Sequence, residues 1–129
     1  MKKIVIIEDQ QVIASIYRIK FAAEGWEVEV ASDGEAGLEL IKNTRPDLVL
    51  LDWRLPKLNG IEVLEKLRAT PGFETFPIIL LSSSSLSPMV QDALKAGATM
   101  VLSKTTHSPN EIVAAVRGAI SVTDEAKSL

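Results

Sequence analysis

Apolar runs and helix-period segments alternate five times along the 129 residues. Residues 3–7, 47–51 and 77–81 are almost unbroken in Ile, Val and Leu, the pattern of strands buried on both faces of a parallel sheet. Residues 99–103 form a fourth run. Residues 27–31 instead alternate charged and apolar side chains (Glu27-Val28-Glu29-Val30), which suits an edge strand. Between and after these runs, the spacing predicts helices over residues 10–24, 35–43, 61–69, 88–96 and 109–120.

The punctuation supports this division. Gly25 and Gly97 stand where a left-handed residue stops a helix. Ser108-Pro109-Asn110-Glu111 reads as a capping box with proline at the first helical position, and Ser32-Asp33-Gly34-Glu35 offers a second. Ser87-Pro88 repeats the cap-then-proline order. Five βα units with right-handed crossovers predict an α/β, flavodoxin-like doubly wound sandwich. The natural strand order is 2-1-3-4-5, with strand two at the edge and strand three central. Residues 1–120 form one domain, and the polar residues 121–129 read as a fraying tail.

Composition narrows the function classes. A net charge of −3 gives no electrostatic case for direct nucleic-acid binding. The absence of cysteine excludes disulfides and thiolate metal sites. The apolar run near the start is cut by Glu8 and Asp9, so it is too short for a signal-peptide core or a membrane span. A cytoplasmic location, with no membrane partner, is the expectation.

The chemistry gathers at the carboxyl ends of the strands, where open parallel sheets place their sites. Strand one ends on Glu8 and Asp9, strand three on Asp52, strand four on Ser82 and Ser83, strand five on Lys104. Two carboxylates about 4 Å apart repel by roughly 4 kcal/mol at an effective dielectric near 20, so three together call for a cation. Mg²⁺ suits them, because it takes one or two carboxylates and keeps room for waters and a phosphoryl oxygen. The implied chemistry is in-line phosphoryl transfer onto the Asp52 carboxylate.

These residues resemble the receiver domain of bacterial two-component response regulators, over residues 2–120. The motifs are the acidic pair Glu8-Asp9, Asp52 with Pro56 and Gly60 in D-x-x-x-P-x-x-x-G spacing, Ser82 after an apolar strand, and Lys104 after Gly97-Ala98. The resemblance implies that a histidine kinase or phosphotransfer protein phosphorylates Asp52 and that this controls binding to a downstream protein target. It implies Mg²⁺ held by Asp9, Asp52 and the backbone carbonyl of Arg54, with Glu8 acting through a water. Ser82 would bond a phosphoryl oxygen and Lys104 would pair with the phosphate. Such a domain is not an enzyme toward other substrates; it catalyses only its own phosphorylation and dephosphorylation, as a monomer or weak dimer. No output domain follows residue 129 in this sequence, which fits either a stand-alone receiver or part of a longer chain.

Two positions depart from the family pattern. Val101 stands where an aromatic is usual, three residues before the lysine, and Thr105 stands where proline is usual. A non-proline cis peptide costs about 3 kcal/mol, so a trans bond and a rearranged loop are expected at Thr105. Arg54 is expected to alter phosphoryl lifetime. Trp53 covers the strand end and should report on the site optically, while His107, Lys57, Lys66 and Arg68 read as solvated charges or loop residues. Other classes fit less well. A haloacid-dehalogenase-like phosphatase needs a second Asp at position 54, and a flavin carrier needs a phosphate loop where Glu8-Asp9-Gln10-Gln11 stands. The runner-up is a degenerate receiver that serves as a phosphorylation-independent interaction domain.

Overall fold

The computed structural model describes residues 1–83 and 87–128, with side chains described for 1–83 and 89–125. Ser84 and Ser85, and the side chains of Ser87 and Pro88, lie outside the described residues. The chain alternates β1 (Lys3–Ile7), α1 (Gln11–Ala23), β2 (Glu27–Ala31), α2 (Gly34–Thr44), β3 (Leu48–Asp52), α3 (Gly60–Arg68), β4 (Ile78–Ser82), α4 (Ser87–Ala96), β5 (Met100–Ser103) and α5 (Pro109–Ser128). All strand pairs are parallel. Their order is β2-β1-β3-β4-β5, as the alternation predicts.

Successive side chains of a strand point to opposite faces, and this divides the core in two. Val5, Ile7, Val49, Leu51, Ile78 and Leu80 face α2, α3 and α4, where Ile41, Val63, Leu64, Leu67 and Ala93 meet them. Ile4, Ile6, Leu48, Leu50, Ile79 and Leu81 face α1 and α5, against Tyr17, Phe21, Ile112, Val116 and Ile120. Every residue of β3 and β4 is buried. Each such Leu or Ile contributes about 2 kcal/mol through burial, enough to fix the central strands and therefore what stands at their ends. The edge strand β2 is largely half-buried.

Gly25 (φ 86°) and Gly97 (φ 112°) take the left-handed turns expected of them. The capping box at α5 is formed: Ser108 Oγ accepts from Glu111 N and Glu111 Oε1 accepts from Ser108 N. Elsewhere the structure corrects the sequence reading. α2 is capped by Asp33, not Ser32, its carboxylate accepting from Ala36 N at 2.8 Å. α2 ends without glycine, on Arg45 at φ 48°. Asn59 and Glu62 form an unforeseen capping box that opens α3. Most visibly, α5 continues through the supposed tail to Ser128. Its extension is tied back to the residue just before β1 by Lys2 Nζ, 2.7 Å from Asp124 Oδ1.

Candidate functional site

Four strand ends make the site. β1, β3, β4 and β5 lie side by side, and the residues just past them are held by backbone bonds that continue the sheet. Glu8 N donates to Ala31 O (3.0 Å), Trp53 N to Leu81 O (2.9 Å) and Lys104 N to Ser82 O (2.8 Å). Behind Asp52 the chain turns into α3 through Gly60, whose N donates to Trp53 O at 2.8 Å. A Cβ at Gly60 would lie 2.7 Å from Asp52 O and 2.9 Å from Trp53 Cα. Glycine there lets α3 start directly beneath the acid.

Glu8 and Asp52 are buried, at 2% and 7% exposure, whereas Asp9 is exposed. Carboxylate oxygens of all three lie within 4.8 Å of one another. Lys104 offsets their repulsion: its Nζ lies 2.7 Å from Glu8 Oε1 and 3.1 Å from Asp52 Oδ2. The second oxygen of Glu8 accepts from Gln10 N at 3.2 Å. Burial alone would lower the Lys104 ammonium, but the Glu8 hydrogen bond and the charges of Asp52 and Glu8 outweigh it, holding it above the usual lysine range.

A cavity of about 300 Å³ opens over this cluster, lined by Asp9, Gln10, Asp52, Arg54, Ser83 and Lys104. Beyond Arg54 lies a second hollow, between Trp53, Leu55, Pro56 and Met89. A larger hollow, about 620 Å³, is on the α2–α3 flank around Asp33, Glu39, Lys57 and Lys66. It shares no lining residue with the acidic cleft.

The structure brings together every site residue the sequence singled out. Glu8, Asp9, Asp52 and Lys104 form one cluster, Ser82 is buried at the adjoining end of β4, and Arg54 stands exposed on the rim. Lys104 bridges two carboxylates. The trio fits a hard divalent cation: an all-oxygen donor set of three carboxylates, two of them buried, whose charge a single ammonium offsets only in part.

Several readings change. The Lys104–Thr105 bond is trans, as expected, since no cis peptide occurs among the described residues. The loop is knitted by Ser103 Oγ, 2.7 Å from Thr105 Oγ1 and accepting from Thr105 N at 3.2 Å. Val101 is half-buried against the core on the α2–α4 side. His107 is half-buried, with Nδ1 3.2 Å from Ser103 O and 3.0 Å from Thr106 Oγ1. Arg68 is no solvated charge either. It donates to Gly97 O at 2.9 Å and Phe73 O at 3.1 Å and stacks on Phe76, and burial lowers its pKa. Lys57 adopts φ 70° and lies 3.8 Å from Asp33. Sequence reasoning missed Gln10 as a lining residue, although it directly follows the acidic pair.

Against known proteins, a family model described as the response regulator receiver domain matches residues 4–117. The chain is similar to the DNA-binding response regulator MtrA of Mycobacterium tuberculosis, 35% identical over 96% of this chain and 53% of that protein. It therefore spans about half the length of the curated relatives it matches. Among solved structures it is similar to the Francisella response regulator 1452 receiver domain, with TM-score 0.87, 30% identity and coverage of 95% of this chain and 99% of that one. It is likewise similar to a CheY-like response regulator receiver domain protein from Methanospirillum hungatei JF-1, with TM-score 0.89, 25% identity and 98% coverage of both chains.

Proposed function

The chain belongs to the response regulator receiver domain family, and from that premise we propose that Asp52 accepts a phosphoryl group from a histidine kinase or phosphotransfer protein. The observation that carries this reading is a buried Asp52 held 3.1 Å from Lys104 at a sheet edge shared with Glu8 and Asp9. In the reaction an Asp52 carboxylate oxygen attacks the donor phosphorus in line. The P–N bond of a phosphohistidine breaks, and its electron pair leaves with the imidazole. Lys104 is already beside the acceptor oxygen, and it follows the charge onto the phosphoryl group. The Ser82 hydroxyl, buried at the end of β4, donates to a second phosphoryl oxygen.

Asp9, Asp52 and the Arg54 carbonyl would hold Mg²⁺, with Glu8 acting through a water; when bound, the ion neutralises the phosphoryl oxygens. The domain acts on no other substrate, turning over only its own acyl phosphate. The phosphorylated form would control a protein target, with no direct nucleic-acid contact by this domain and with a monomer or weak dimer as the acting species. No helix among the described residues is long and apolar enough to cross a membrane.

Incubation with acetyl phosphate and Mg²⁺, followed by intact mass, tests the reading. The wild type should gain one phosphoryl group and Asp52→Asn none. A wild type that binds Mg²⁺ yet gains nothing would favour the second reading, a phosphorylation-independent interaction domain. Val101 in place of an aromatic is the observation on that side.

A further inference from the structure

Gln10 occupies the N-cap of α1, at φ −86° and ψ 111°, and its side chain makes no cap hydrogen bond. Ser, Thr, Asp and Asn serve that position because a short side-chain oxygen reaches the free N–H groups of the first turn. Glutamine is a methylene longer than asparagine, and the first turn of α1 has no acidic residue to compensate. The local rule for starting a helix is thus broken directly after the acidic pair, and such breaks concentrate at functional positions. Gln10, its carboxamide left out of capping, is among the residues that line the cavity over Asp52.

Its companions there cannot do what it can. Asp9, Asp52 and Lys104 are engaged with one another or with the metal and phosphoryl group of the proposed reaction. Arg54 only donates, and the Ser83 hydroxyl is on a short stem. A carboxamide carries an acceptor oxygen and two N–H donors on one rigid plane. It can hold a water by one proton while steadying a phosphoryl oxygen.

Building on the reading of Asp52 as phosphoryl acceptor, we propose that Gln10 positions the water that hydrolyses phospho-Asp52 and so sets how long the domain stays phosphorylated. The water oxygen bonds to phosphorus on the side opposite Asp52. The P–Oδ bond breaks and its electron pair returns to the carboxylate. One water proton passes to a phosphoryl oxygen, and inorganic phosphate leaves. Gln10 orients the attack and takes no proton, so its contribution is one of geometry.

The 129-residue chain and its Gln10→Leu and Gln10→Asn variants can be loaded with acetyl phosphate and Mg²⁺, desalted into Mg²⁺ buffer and followed by intact mass. Leucine removes the amide, and asparagine draws it back by one methylene. Both should slow the decay of the acyl phosphate about tenfold, the order expected for losing one orienting contact. Asparagine is the better cap, so its thermal midpoint should rise while its phosphoryl group still persists. A purely structural role would make lifetime follow stability. Mg²⁺ titrations read through Trp53, in a Trp26→Phe background, should give one midpoint for all three proteins.

Decay within twofold of wild type in both variants would overturn the inference alone. So would lifetimes that track the thermal midpoints, or a Mg²⁺ midpoint shift large enough to account for the rates. If wild type takes up no phosphoryl group, the reading of Asp52 fails, and the inference falls with it.

Discussion

Replacing Lys104 by methionine keeps the length and the apolar stem but leaves two buried carboxylates facing each other. The ammonium lies 2.7 Å from Glu8 and 3.1 Å from Asp52, and its side chain is only 19% exposed. Removing one partner from a buried ion pair costs about 3–5 kcal/mol. The carboxylate oxygens lie within 4.8 Å of each other, and their bare repulsion at an effective dielectric near 20 is about 3 kcal/mol. Solvent reaching the site through the open cavity favours the lower end. Lys104→Met should therefore lose about 3 kcal/mol at pH 7 without metal.

Urea unfolding with and without Mg²⁺ measures this. Mg²⁺ should stabilise the variant more than the wild type, because the ion replaces the missing charge and meets no competing ammonium. The pH arm has a definite sign. The wild-type Lys104 pKa is raised, so its contribution is complete below the unfolded lysine value of about 10.4 and fades as pH rises through the folded one. The gap between the two proteins should close only there. A metal-free variant within about 0.5 kcal/mol of wild type, the scatter of ordinary surface substitutions, would refute the account, as would Mg²⁺ stabilising both proteins equally.

Three further outcomes follow from the packing. Tyr17 is the sole tyrosine, and burial raises its phenol above 10.0; its stabilising effect is present below the unfolded value and lost above the folded one, so phenolate absorbance should appear together with unfolding. Titration near 10 in a protein that stays folded by circular dichroism would count against that. Gly60→Ala pushes a methyl against the Asp52 and Trp53 backbone and should cost about 2 kcal/mol while weakening the Mg²⁺ response of Trp53; an unaltered urea midpoint would show that α3 can shift freely. Arg68→Met leaves the carbonyls of Gly97 and Phe73 without a donor, costing about 2 kcal/mol. Lys at that position should not restore the loss, since one ammonium cannot reproduce the fork, and full rescue by Lys in thermal unfolding would rule out the clamp.

What could be read from the sequence was whatever local pattern determines. Residues 77–81 read as a central strand because nothing polar interrupts them, and the order of strands puts Glu8, Asp52, Ser82 and Lys104 on one rim. What escaped depends on partners distant in sequence. Ser121 to Ser128 look like a loose tail until Lys2 is found beside Asp124. Arg68 looks solvated until the turn at Gly97 offers it a carbonyl. The Asn59–Glu62 box was different, since its three-residue spacing stands in the sequence but Asn59-Gly60 also reads as a turn. That Lys104 stands among the carboxylates follows from the strand order, but its bonding to both Glu8 and Asp52 depends on the distance between β1 and β3, which no local pattern states.

The rim of the site hangs on main-chain bonds: Glu8 to Ala31, Trp53 to Leu81, Lys104 to Ser82. No side-chain replacement removes such a bond, except proline at the donor. Side-chain substitutions around the site therefore leave these three bonds, and the strand-end spacing they support, in place. Thr105 even puts its own N–H to use, on Ser103 Oγ, where a proline would have none to offer. The main chain sets where the reactive groups stand, and the side chains around them set only the surroundings.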